Sequence, residues 1–380
     1  MSKVPVVEHL THKSGKFIFS CEYDPEVIMP KMIAATILYS AVSELPILPQ
    51  YSAQLKEDLI RRSIFGTAAI EGNKLTEDEV SEVLSKEKKT KLKNQAELEI
   101  DGLKRIYKLL DGKKSEDTWI VREKLIKNVH HVLTARLDYY HNSPGNYRNE
   151  PVFVGNAEHG GVYKPPKTLS DIKTLMGIFT EWINSEEMKA VDPMIRACAA
   201  HYHLAKIHPF QDGNGRTSRF IEAMILDRAG IKYLPQMMSN YYYKNIDDYF
   251  ISFSKTQRAN NKQDITPFLS FYFDGIISSI KDIKEQVTFF IRKLSLKDFY
   301  YFQKRDKKIT QRQLELLLLA LETLIEFSFS DLFSHPVLKP LYRDVSESTA
   351  RRDLKKLCDN GYLQFHDEQK KYRTNLLLLG

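Results

Sequence analysis

The sequence predicts a mainly α-helical fold with an extended β-hairpin flap in its middle and a small winged helix-turn-helix at its C-terminal end. Three observations carry this. Apolar residues recur at i, i+3 and i+4 from Pro30 to about Leu110, and the same rhythm dominates to roughly Leu294. Residues 147–166, YRNEPVFVGNAEHGGVYKPP, interrupt it with alternating apolar residues, a glycine pair and Pro165-Pro166, which are hairpin marks. Near the end, helical pieces give way to two short alternating stretches, the order found in winged helices.

The elements follow in order. Lys16–Tyr23 (KFIFSCEY) alternates as a short strand does. Pro46 and Pro49 break the first helical block near residue 48. Thr76 and Glu79 have the spacing of a capping box, which predicts a helix running to about Leu84. The run Lys86–Lys93 holds five lysines and one glutamate and reads as a solvated connection. A second helical block runs from near Thr118 to about Asp138, and Pro144-Gly145 marks a turn. After the flap, helices are predicted from Leu169 and from Asp192-Pro193, where Asp caps and Pro fits the first turn. Pro209 ends that helix, and another spans about Arg216 to Ala229. Gln311–Phe327 and Ser346–Asn360 read as helices, Tyr362–His366 and Lys371–Asn375 as strands. The division expected is 1–115, 116–275, a helical linker over 276–305, and 306–380.

Composition narrows the class. The 380 residues are 42% hydrophobic and 28% charged, which excludes a disordered or fibrous chain. No run of about 18 uncharged apolar residues predicts a membrane span, and the opening residues do not read as a secretion signal. Cys21, Cys198 and Cys358 lie far apart, fitting neither a disulfide framework nor a CxxC metal site. A reducing, cytoplasmic setting is expected. The net charge of +7 permits nucleotide or nucleic-acid partners without demanding them.

The chemistry concentrates in His208–Arg219, HPFQDGNGRTSR. Gly213-Asn214-Gly215 can turn its N–H groups onto an anion, at the start of a helix that favours negative charge. Arg216 and Arg219, three apart, reach the same side. Asp212 is a hard oxygen ligand suited to Mg²⁺ beside a phosphate. His208 can take a proton from an attacking hydroxyl. A zinc site from His201, His203 and His208 is the competing reading, but residues two apart on a helix diverge by about 200°. No P-loop pattern is present.

HPFQDGNGRTSR fills every specified position of HxFx[DE]GNGRxxR, and over roughly residues 30–275 the chain resembles Fic-domain proteins. That resemblance implies a Fic-type helical core and transfer of AMP from ATP to a Ser, Thr or Tyr hydroxyl of a protein, with Mg²⁺ and release of pyrophosphate. It makes His208 the catalytic base and Asp212 the metal ligand. Gly213, Asn214 and Gly215 then bind phosphate oxygens, and Arg216 and Arg219 neutralise charge further along the nucleotide. Tyr249, with Phe250, falls on the adenine side; Val154, Gly155 and Asn156 are expected near the nucleotide too. The flap, 148–164, would align a target segment as an added strand.

Thr67-Ala-Ala-Ile-Glu71-Gly-Asn73 resembles the inhibitory motif [ST]xxxE[GN] of the class II type within the same family. The resemblance places Glu71, at the end of an inhibitory helix of about 63–73, against Arg219, and suggests a role for Glu71 in removing AMP. Self-modification and pairing into a homodimer are further implications. The alternative function is a DNA-binding transcription regulator. Arg351, Arg352, Lys355 and Lys356 share one face of the last helix, as recognition helices require, although residues 341–375 also hold six acidic side chains.

Overall fold

The computed structural model describes residues 4–86, 92, 94–110, 119–138, 141–259, 263–323 and 326–379. The lysine run therefore lies almost wholly outside the described residues, and so does Thr118. The chain divides into two compact units, one of residues 1–44 and 52–283, the other of 45–51 and 284–380.

The first unit opens with an antiparallel hairpin, β1 (Val7–Thr11) and β2 (Gly15–Phe19), in which Val7 pairs with Phe19. The alternation around Lys16 marks β2; its partner has no comparable pattern. Helix α1 (Pro25–Ser43) starts earlier than the apolar rhythm suggests, because Asp24 caps it and Pro25 fills its first position. By length and composition α1 could cross a membrane, although it contains Glu26 and Lys31. Lys31 pairs with Asp274 at 2.6 Å, which ties α1 to the rest of the unit. Helix α2 (Pro49–Ile70) follows the proline break, and α3 (Glu77–Ser85) carries the full Thr76–Glu79 capping box. Then come α4 (Gln95–Tyr107), α5 (Glu123–Thr134), α6 (Leu169–Ile183), the short α7 (Glu186–Lys189), α8 (Pro193–Ile207) and α9 (Asn214–Arg228).

Helices α8 and α9 pack on each other at the centre, with α6 against α8 and α5 against α9. Nearly every α8 and α9 side chain is buried, as expected of helices enclosed by others. Within α9 that burial includes Arg216, Thr217, Ser218, Arg219, Glu222 and Asp227. So many buried polar groups on one helix mark a site rather than a packing element. A 3₁₀ turn (Leu234–Gln236) leads into α10 (Met238–Lys244) and α11 (Ile246–Ala259). A Cβ on Gly66 would sit 2.8 Å from the Ser239 carbonyl oxygen, so α2 approaches α10 this closely only with glycine there.

The flap is less regular than a hairpin. Its one bridge joins Val154 and Tyr163 through two hydrogen bonds of 2.9 and 2.7 Å. Gly155, Gly160 and Gly161 all have positive φ, and that bends the chain out of the ladder.

Helix α12 (Thr266–Arg305) covers the stretch expected as a helical linker and continues into the second unit. There α13 (Gln311–Thr323), α14 (Asp331–Ser334), α15 (Lys339–Tyr342) and α16 (Glu347–Asp359) precede the antiparallel pair β3 (Leu363–His366) and β4 (Lys371–Thr374). Leu296, Tyr300, Leu317, Leu321, Leu354 and Leu357 form its core. Burying each leucine contributes roughly 1.5–3 kcal/mol. Buried Asp353 accepts from Arg312 and Gln313, each at 2.8 Å, which joins α16 to α13.

Candidate active site

His208 ends α8. It adopts a left-handed conformation, φ 51° and ψ 59°, just before Pro209. Such a backbone costs a non-glycine residue on the order of 1–3 kcal/mol and persists where its surroundings over-determine it. The His208 N–H closes the helix on Leu204 O at 3.1 Å. Its Nδ1–H points to the Ala205 carbonyl at 3.3 Å, which leaves the Nε2 lone pair as the acceptor. Burial, and then the Arg148 charge, lower its pKa to about 4, against the pull of Glu71 and Asp212. The imidazole is therefore neutral at neutral pH, the state a base requires.

The loop from Pro209 to Gly213 is pinned at several points. The Asn214 side chain accepts from Phe210 N at 2.9 Å and donates to Phe210 O at 2.8 Å. His130 on α5 stacks flat on the Phe210 ring, 3.7 Å between centroids. Its Nδ1 accepts from Gly145 N, so its Nε2–H donates to Asp212 O, both at 2.9 Å. Burial lowers the His130 pKa to about 4, and the ring acts as a neutral bracket. Gly213, left-handed at φ 73°, caps α9. The first turn of α9 then presents N–H groups that have no acceptor within the helix.

The two arginines part company. Arg219 Nε donates to Thr67 Oγ1 at 2.8 Å, and its Nη2 reaches Glu71 Oε1 at 2.6 Å and Thr67 O at 3.3 Å. Thr67 and Glu71 lie on α2 and its C-terminal turn, where Gly72 has φ 87°. Burial works to raise the Glu71 pKa, but Arg219 and then Arg216 outweigh it, and the net shift is downward. Arg216 takes other partners. Its Nη1 donates to Glu99 Oε1 at 2.5 Å and its Nη2 to Asp212 Oδ2 at 3.1 Å, so this guanidinium braces the loop against α4. Glu99 also accepts from the Asn73 amide at 2.7 Å. The turn carrying Glu71 is thereby linked to both arginines.

Tyr249 is buried, and its hydroxyl meets His201 Nε2 at 3.0 Å. It also contacts Arg219. His201 Nδ1 bonds Glu222, which accepts from Tyr242 at 2.9 Å as well. Tyr249 thus stands behind Arg219 in a buried polar network rather than on an open surface. His203 turns to Ser20, so His201 and His203 serve different neighbours. Gly155 and Asn156 are exposed on the flap. The Asn156 side chain accepts from His159 N at 2.9 Å and its carbonyl from Gly161 N at 2.8 Å, bonds internal to the flap. The flap tip rests on α11: His159 Nε2 meets Asp247 at 2.9 Å, and Arg258 donates to Gly160 O at 2.5 Å.

Sequence reasoning missed Glu99, His130 and Arg148. Each serves the loop from far along the chain, and none belongs to a local pattern. The donor set suits a divalent cation held in part by phosphate: the Asp212 side chain is 44% exposed with one oxygen oriented by Arg216, and Mg²⁺ commonly takes one or two carboxylates beside phosphates. Among the described residues no group of three His, Cys, Asp or Glu could hold a metal alone. A Cβ on Gly215 would collide with the Glu71 carboxylate, so the cradle and the carboxylate share one space.

Residues 120–226 match the sequence model of the Fic/DOC family. "Protein adenylyltransferase Fic" of Drosophila mojavensis is 30% identical over 222 residues, 58% of this chain and 40% of that protein. The namesake from Aedes aegypti is 30% identical over 212 residues, 56% and 39% of the two chains. The chain spans about two fifths of the length of these curated relatives. Among solved structures, a Fic family protein from Desulfovibrio desulfuricans G20 aligns with a TM-score of 0.57 at 19% identity, over 94% of this chain and 98% of its own. Fic-1 from C. elegans aligns at 0.54 and 20% identity, over 68% and 72%. These structures share the fold of this chain, and residues 120–226 are similar in sequence to the Fic/DOC family.

Proposed function

We propose that the chain is a self-restrained protein adenylyltransferase. A hydroxyl of a target protein attacks the α-phosphorus of ATP, its proton passes to His208 Nε2, and the bond to pyrophosphate breaks. The observation that carries this reading is the neutral, Nδ1-anchored imidazole of His208 beside the N-terminus of α9. In-line phosphoryl chemistry needs orientation and charge stabilisation more than covalent help. Asp212 would hold Mg²⁺, which would draw charge from the phosphates. Arg219 would meet the far end of the triphosphate once Glu71 leaves it.

The Glu71–Arg219 pair supports restraint. Arg219 is buried and Glu71 about a quarter exposed. Breaking such a pair costs up to about 3–5 kcal/mol, enough to suppress productive binding by roughly two to three orders of magnitude. The deciding experiment incubates full-length Glu71→Gly with each α-labelled nucleotide and Mg²⁺ and reads intact mass. A nucleotidyl adduct on itself or a bystander protein, formed about 100-fold faster than by wild type, is expected; no adduct with any nucleotide would falsify the assignment.

A second reading concerns the C-terminal unit, a proposed winged helix that selects the target. Arg351, Arg352, Lys355 and Lys356 are exposed on α16. However, Arg351 lies 4.0 Å over the Phe329 ring and 3.6 Å from Glu347, and the β3–β4 turn bears Asp367 and Glu368. This mixed field favours a protein partner over DNA. Steep salt-dependent retention of duplex DNA by the full chain would reverse that preference.

A further inference from the structure

Arg148, at the foot of the flap, is only 3% exposed. Its guanidinium bonds three main-chain carbonyls. Nε donates to His208 O at 2.8 Å, Nη1 to Glu150 O at 2.8 Å and Nη2 to Pro166 O at 2.7 Å. Its own N–H donates to Pro209 O at 2.9 Å. One residue therefore grips both feet of the flap and the two carbonyls that follow the strained His208 backbone.

A planar guanidinium suits this task, because its donors diverge in one rigid plane while an ammonium imposes no such geometry. Carbonyl partners at a helix C-terminus also favour a cation. Burial lowers the Arg148 pKa to about 10, and it stays charged at neutral pH. We infer that Arg148 is a positioning residue that holds the flap and the His208 imidazole in one register, so that a target aligned on the flap meets the base. Its catalytic half rests on the transfer reading above; its structural half does not.

The test uses Arg148→Lys and Arg148→Gln in the full-length Glu71→Gly chain, each compared with that parent. Hydrogen exchange should quicken about tenfold in both segments 148–166 and 208–213, with α4 unchanged. Quickening in the flap alone would overturn the coupling. ATP affinity, by calorimetry, should hold while kcat for protein transfer drops about 100-fold, the scale of a 1 Å misplacement. Parental kcat in Arg148→Lys would overturn the need for the planar fork. If Arg148→Gln does not fold, the Lys variant, which keeps the charge, decides both points. A parent that transfers nothing sinks the functional reading, while the exchange result still judges Arg148.

Discussion

The signature loop and the flap are built on opposite principles. The loop, 208–219, is held by side chains from α2, α4 and α5, with Asn214 bonding its own backbone. The flap has one bridge of its own, and is fixed by Arg148 at its feet and by α11 at its tip. On the transfer reading, a loop that would place a proton acceptor to a fraction of an ångström is over-determined, whereas a flap that would receive another chain keeps its backbone available.

The comparison breaks most sharply at His208. His208→Ala should lower transfer by about 10²–10⁴-fold with ATP binding intact by calorimetry; wild-type turnover would show that the loop does not carry the chemistry. Next comes the brace. Glu99→Gln leaves the buried Arg216 charge poorly paired, at a cost of about 3 kcal/mol, or a melting temperature lower by about 6–12 °C. An unchanged melting curve would mean that α4 does not support the loop. Deleting the flap tip, about Ala157–Val162, should reduce modification of an external protein roughly tenfold while slow ATP hydrolysis persists; equal losses would argue that the flap belongs to the rigid part.

The smallest expected effect is in pH. His208 titrates at about 4 instead of its ordinary 6.5, so the imidazole is neutral above about 4 and protonated below. Transfer by Glu71→Gly should stay flat from neutrality to about pH 5 and fall only beneath that. A midpoint near 6.5 would mean that the imidazole is not desolvated. Stability has the same sign. His130 and His203 have folded pKa values of about 4 and about 3, below the unfolded 6.5. Their contribution is present above 6.5 and shrinks as pH falls toward those values.

These contrasts also explain what the sequence disclosed. Twelve contiguous residues spell the loop, because a helix terminus and its glycine turn are local structures. Thr67 and Glu71 were legible for the same reason, being four apart on one helix end. The bracing residues were not: Glu99 meets Arg216 across 117 positions, His130 meets Asp212 across 82, and Arg148 meets His208 across 60. Only folding defines such partners, and a lone arginine or histidine has no periodicity to betray it. The flap was legible as extended chain, but its glycines bend it more than alternation implied. Tyr249 was placed by resemblance alone, which could not foresee the network behind Arg219.

Thr67 has a consequence for how restraint would end. Its hydroxyl and carbonyl grip Arg219 independently of Glu71, so withdrawing the carboxylate need not set the arginine adrift. On the transfer reading the side chain would stay aimed at the phosphates, its rotamer entropy already lost. Activation on this view is an exchange of tenants in a standing room, which demands no rebuilding of the helices around it.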